Sequence, residues 1–217
     1  MINWRWAVVL SILVSATCLG AEPNLRKVNV DIQDTGAQKR GFKIYMEYCK
    51  GCHSAKFMRY ERIATDLSID PEEMRSQYIN DSSSLHDSIR STAPSDSLSK
   101  LFGAAPPDLS LWARYRGEDW LYSYLTGFYF DSERSFSYNN KVLHNVNMPW
   151  VLNYQQTHET PKIFGERIRD LTSFMVYMAE PIRSYRESMG QYVLLFLALL
   201  LIPVYLLKQS YWREISQ

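Results

Sequence analysis

Five consecutive residues, Cys49-Lys50-Gly51-Cys52-His53, restrict this chain more than any other feature of its 217 residues. Two thiols separated by two residues, with an imidazole directly after the second, leave three chemistries: a redox pair, half of a metal site, or the attachment points of a haem. A redox pair of the thioredoxin kind belongs in a βαβ setting, and no such pattern surrounds these residues. A structural zinc site needs two further Cys or His at suitable spacing. The other histidines, His86, His144 and His158, are scattered, and the remaining cysteine, Cys18, lies in an apolar N-terminal segment. The haem reading fits the spacing. Each sulfur adds to one of two vinyl groups of a single macrocycle, and the adjacent imidazole is held beneath the ring with one nitrogen on the iron. One covalently attached haem c is therefore expected on Cys49, Cys52 and His53.

Both ends of the chain place it at a membrane. Residues 1–21 read as an export signal: Arg5 supplies a positive start, Ala7 to Val14 an apolar stretch, and Ala16 to Ala21 the small residues of a cleavage region. No charge occurs from Gln191 through Leu207. As a helix at 1.5 Å per residue this stretch covers roughly 25 Å of a hydrocarbon layer about 30 Å thick. Tyr192, Tyr205, Tyr211 and Trp212 supply interfacial anchors. The expected organisation is a signal over 1–21, a periplasmic domain over 22–187, a transmembrane helix over 190–208 and a cytoplasmic tail over 209–217. Basic residues flank the span on both sides (Arg183, Arg186, Lys208, Arg213), so the signal sets the orientation rather than the charge bias. A net charge of +1 excludes the strong basic excess of a nucleic-acid binder.

Between the ends the pattern is helical, with long loops. Phe42, Tyr45 and Met46 recur at helical spacing within 37–48, and Pro71-Glu72-Glu73 reads as a helix start. Residues 81–100 hold eight serines and read as loop. Ala104 to Ser110 reads as a stiff extended entry to a helix that Asp108 would cap. Residues 118–127 and 165–180 are helical, the latter with Ile168, Leu171, Phe174, Met175 and Met178 on one face. Phe128 to Tyr154 reads as loop. No strand alternation stands out, so the fold class is mainly α: a cytochrome c-type haem domain with one C-terminal transmembrane helix.

The side of the iron opposite His53 needs its own ligand, and Met or His is usual. Met46, Met58, Met74, Met175, Met178, Met189 and His144 are all present. Met148 stands out because it sits in a polar loop, Asn145-Val146-Asn147-Met148-Pro149-Trp150, where no helical pattern asks for a core methionine. Spacing leaves Met148 and His144 both open.

At this point the sequence resembles the cytochrome c1 family, the haem subunit of the bacterial quinol–cytochrome c reductase (cytochrome bc1) complex. The resemblance runs over nearly the whole chain after residue 21. It is carried by Cys49 to Ser54, Met58-Arg59-Tyr60-Glu61-Arg62-Ile63, Gly103-Ala104-Ala105-Pro106-Pro107-Asp108-Leu109-Ser110, Gly117-Glu118-Asp119-Trp120, Leu125-Thr126-Gly127, Asn145 to Pro149 and the single C-terminal anchor. It implies Met148 as sixth ligand and Pro106 and Pro107 beside the haem. It also implies an arginine on a propionate, for which Arg114 and Arg116 compete and Arg116 is favoured. Trp120 stands where the family often has tyrosine, which loses a hydroxyl contact to that propionate.

The resemblance further implies electron transfer from a Rieske iron–sulfur protein to cytochrome c, alongside cytochrome b, in a dimeric complex of the bacterial inner membrane. The subunit itself would be non-catalytic within an oxidoreductase. The alternatives are another membrane-anchored cytochrome c feeding an oxidase, or a haem sensor or enzyme with an open iron site. Residues 66–96 carry seven acids against Arg75 and Arg90. That surplus suits either a docking face for a basic cytochrome c or a plain solvated loop.

Overall fold

The computed structural model describes residues 24–79 and 83–215. The expected signal segment 1–21, with Cys18, lies outside these residues, as does Asp81. After an extended start, Asp34 opens the first helix by accepting the Ala37 amide at 2.8 Å, and α1 runs over Thr35–Ile44. The helix then widens by one residue per turn over Tyr45–Cys49, and the Lys50 amide reaches back to the Tyr45 carbonyl at 2.9 Å. Such wide turns recur at functional sites, and this one ends on the first cysteine of the motif.

Strand β1 (Ala55–Arg59), α2 (Tyr60–Asp66) and α3 (Pro71–Tyr78) follow. The expected start at Pro71 is present, with the Asp70 carboxylate accepting the amides of Glu72 (2.8 Å) and Glu73 (3.2 Å). The serine-rich stretch differs from the expected loop. It contributes β2 (Ser88–Ile89), antiparallel to β1, and α4 (Ser95–Phe102), which closes on Gly103 in the left-handed region at φ +77°. Next come α5 (Trp112–Arg116) and α6 (Glu118–Thr126). The expected loop from Phe128 likewise contains a small hairpin, β3 (Phe128–Phe130) with β4 (Tyr138–Asn140), in register Phe128–Asn140, Tyr129–Asn139 and Phe130–Tyr138. Helices α7 (Asn153–His158), α8 (Pro161–Ala179) and α9 (Arg183–Ile215) complete the chain. The mainly helical class holds. The strands escaped notice because two to five residues are too few to show alternation.

The core is the crossing of α1 and α8. Gly41 lets the helices meet: a Cβ there would stand 2.0 Å from the Asp170 carbonyl oxygen. The buried rings of Phe42, Tyr45 and Phe174 fill the crossing, with centroids 5.4 and 5.5 Å from that of Phe174. Arg40 closes it from the edge through a two-pronged pair with Asp170, at 2.6 and 3.1 Å. The apolar face expected on α8 is the buried one, and α5 and α6 pack on the same helix.

Helix α9 begins eight residues before the uncharged stretch and runs on through Pro203. It is the helix long and apolar enough to cross a membrane, and its apolar window is wholly unburied within the chain. Its base is tied to the domain by charge: Arg183 with Glu118 at 3.7 Å, Arg186 with Glu180, and Arg114 with Glu180 at 3.0 Å.

A cavity lined by two thiols, an imidazole and a thioether

The last turn of α1 delivers the motif to the edge of a largely apolar cavity of about 460 Å³. The loop after it is tightly wound, with the amides of Cys52 and His53 both donating to the Cys49 carbonyl at 3.1 and 2.8 Å. Tyr45, fully buried, donates its hydroxyl to the His53 carbonyl at 3.2 Å. Tyr45→Phe is expected to lower stability by about 1 kcal/mol. Thermal unfolding of the full chain in detergent measures it, and an unchanged midpoint would show that the bond adds nothing.

Cys49 and Cys52 are not joined to each other. Burial, with the neighbouring Cys52 adding to it, pushes the Cys49 thiol up to about 12, and burial also raises Cys52. An active redox pair needs the opposite, a thiol depressed toward neutrality.

The His53 ring is oriented from behind. Its Nδ1 lies 2.8 Å from the Pro107 carbonyl oxygen. A carbonyl can only accept, so Nδ1 carries the proton and Nε2 keeps its lone pair. Burial depresses the imidazolium, while the Pro107 carbonyl and the Asp108 charge oppose it. A neutral ring with a second-shell acceptor on its other nitrogen is the ligating form of histidine.

Asp108 secures that carbonyl. Its carboxylate accepts the amides of Lys56 on β1 and of Ser110, each at 2.9 Å, and Leu109 donates to the Ser54 carbonyl at 2.8 Å. Asp108 therefore does not cap a helix, as its position before one had suggested. Helix α5 starts later, from Leu111, without a side-chain cap. The carboxylate instead stitches the proline pair to the strand that follows the motif.

Pro106, Pro107, Trp120 and Met148 all line the cavity with Cys49, Cys52 and His53. Trp120 stacks on Tyr124, with centroids 5.0 Å apart and planes 7° apart. Tyr124 donates its hydroxyl toward the Met148 sulfur at 3.5 Å. His144 and Met175 also reach the cavity, Met175 as a buried residue of α8. Met74 and Met178 are buried in the core, and Met189 is exposed on α9. Arg116 is not part of the lining. Its guanidinium lies 4.9 Å from the rings of Tyr115 and Trp120 and 5.7 Å from that of Trp112. Two of those rings, Trp112 and Trp120, are cavity walls. Arg114 points elsewhere, to Glu180.

Sequence reasoning did not find Tyr124 or the role of the Pro107 carbonyl, since each depends on contacts across distant segments. The donor set fits a haem: apolar walls for the macrocycle, two neutral thiols, one imidazole nitrogen with a free lone pair, and a thioether.

Comparison with known proteins agrees. The model of the family described as "Cytochrome C1 family" matches residues 27–215. The cytochrome c1 of Allochromatium vinosum is 36% identical over 234 residues, covering 94% of this chain and 96% of that protein. A Nitrosomonas europaea protein described as an ammonia monooxygenase gamma subunit is 35% identical over 232 residues, covering 99% of each. A chain of a solved hyperthermophilic respiratory complex III aligns over 96% of this chain and 99% of its own, at 16% identity and a TM-score of 0.43. With a family match across nearly all of its described length, and a relative of that identity and coverage, this chain belongs to the cytochrome c1 family.

Proposed function

We propose that this chain is the haem subunit of a bacterial quinol–cytochrome c reductase, receiving electrons from the Rieske iron–sulfur protein and passing them to a cytochrome c. The observation that carries the reading is the single apolar cavity that gathers both thiols, the oriented His53 and Met148. A c-type haem, when bound, supplies a one-electron couple. The residues hold and tune that group. Cys49 and Cys52 attach it, and His53 donates its Nε2 lone pair. Met148 offers a thioether, a ligand that favours the reduced state relative to a second histidine. Pro106 and Pro107 form one wall and Trp120 another, and Arg116, stacked over Trp112 and Trp120 outside the lining, would be the residue that meets a propionate. The chain breaks no bond of a substrate.

Residues 1–21 direct export, so the domain over 22–187 stands in the periplasm. The span over 190–208 anchors it in the inner membrane beside cytochrome b, within a dimeric complex, and 209–217 remain in the cytoplasm. Three acids of the segment 66–96 have structural partners, only one of which, Arg62, offsets the charge that would meet a basic cytochrome c. Asp66 is paired with Arg62, Asp70 caps α3, and Asp87 accepts the Ser84 amide.

The test is the absorption spectrum of the reduced, detergent-extracted protein, with and without carbon monoxide, for wild type and Met148→Leu. Wild type is expected to ignore carbon monoxide and the variant to bind it. Binding by wild type would mean an accessible iron, and the reading would give way to a sensor or an enzyme.

A further inference from the structure

Met148 is carried on a stretch with no ladder of its own, residues 141–149, held to the domain mainly by side chains. Its first half rests on β4. Asn140, fully buried, accepts the amides of Val142 (2.8 Å) and Leu143 (3.2 Å) on its Oδ1, and Asn139 accepts that of Asn145 at 2.9 Å. The second half, next to Met148, is held differently. Arg134, from the turn joining β3 and β4, reaches over it. Its Nη2 donates to the Asn145 carbonyl and the Asn147 Oδ1, each at 2.9 Å, and lies 3.4 Å from the Val146 carbonyl. The Arg134 Nε is buried with no hydrogen-bond partner among the described residues. The side chain thus leaves one of its own donors unmet in order to span three successive residues. Asn145 is held at φ +61°, a left-handed conformation that Asn tolerates but does not prefer. Two further holds on this half are the Asn147 side-chain amide, which donates to the Phe102 carbonyl at 3.0 Å, and the Tyr124 hydroxyl on the Met148 sulfur at 3.5 Å.

We propose that Arg134 is a positioning residue for the sixth ligand: its guanidinium latches residues 145–147 and so keeps the Met148 thioether in the cavity. The proposal rests on Met148 being that ligand. A segment with few backbone bonds of its own opens locally at low free-energy cost, to which each side-chain tie contributes. The Arg134 tie is charge-assisted: its Nη2 reaches all three residues and its Nη1 lies 3.5 Å from the Asn145 Oδ1, a two-nitrogen spread that a lysine's single nitrogen cannot reproduce. The latch acts without touching iron. Its loss would leave the resting coordination unchanged while raising the fraction of time in which Met148 is out of place.

The experiment is the rate of carbon monoxide binding to the reduced full chain in detergent. Wild type, Met148→Leu, Arg134→Gln, Arg134→Lys and Arg62→Gln are compared, each with its thermal unfolding midpoint. Arg134→Gln is expected to bind at least tenfold faster than wild type, and Arg134→Lys to fall between the two. Arg62→Gln, which removes an arginine paired elsewhere with Asp66, is expected to match wild type. If Met148→Leu binds and Arg134→Gln behaves as wild type, the latch is wrong and the ligand reading survives. If Met148→Leu itself resembles wild type, the ligand reading fails and the latch with it. If Arg62→Gln speeds binding as much as Arg134→Gln at a similar loss of midpoint, general loosening explains the effect and the latch is again overturned.

Discussion

Gly41→Ala is expected to destabilise the domain by about 3 kcal/mol, the upper end of the usual cost of overpacking. Two effects oppose each other. Alanine is the better helix former by about 1 kcal/mol, and the position lies in the regular part of α1, so propensity alone predicts a gain. The added methyl, however, would sit 2.0 Å from the Asp170 carbonyl oxygen, 2.7 Å from its carbon and 2.8 Å from the Phe174 Cβ. Two of those atoms are backbone, and no rotamer change moves them. The helices must separate, loosening the Phe42–Phe174 and Tyr45–Phe174 contacts and the Arg40–Asp170 pair together. Because α1 runs on through the wide turn to Cys49, the shift also displaces the Cys49–His53 motif. Chemical denaturation of the full chain in detergent measures the loss. A midpoint at or above that of wild type would mean that the crossing has more slack than its geometry allows.

The second large effect is expected at Asp108. Asp108→Ala leaves the Lys56 and Ser110 amides without their acceptor. Two hydrogen bonds to a charged group make a loss of about 3 kcal/mol reasonable. The site consequence is more specific than the stability loss. Without the carboxylate the proline pair is no longer stitched to β1, and the Pro107 carbonyl drifts from the His53 Nδ1. Disturbing a partner of this kind usually costs ten- to a hundredfold in affinity or activity. The haem content of the purified variant, read by the pyridine spectrum per polypeptide, should fall. Asp108→Asn keeps one acceptor oxygen for one of the two amides and turns an NH2 donor toward the other, so it should lose less than Asp108→Ala but not match wild type. Equal losses in the two variants would show that charge alone matters at this position.

The sequence made the chemistry more legible than the fold. The motif at Cys49–His53 is local, and so is the uncharged stretch from Gln191. Helix α8 announces itself because five apolar residues, Ile168 to Met178, repeat on one face over about three turns. What stayed hidden is non-local. β1 pairs with β2 across some thirty residues, and nothing in Ser88-Ile89 alone calls for a strand. Helix α4 was masked by its serines, which are indifferent helix formers and common in loops. Asp108 reads as a cap because its neighbours resemble a helix entry, yet its partner Lys56 lies far back along the chain. Arg134 looks like any surface charge until the hairpin brings it over the loop that follows.

Helix α9 starts at Arg183, eight residues ahead of Gln191, which at 1.5 Å per residue is about 12 Å. The anchor is thus also a pedestal. The link from α8, Glu180 to Ile182, is non-helical, and the ion pairs of Arg183 with Glu118 and of Arg186 with Glu180 bridge it. These pairs restrain the height and heading of the domain over the helix. In the proposed role, a carrier meets a domain whose heading is restrained, so most of the searching and alignment falls to the visiting protein.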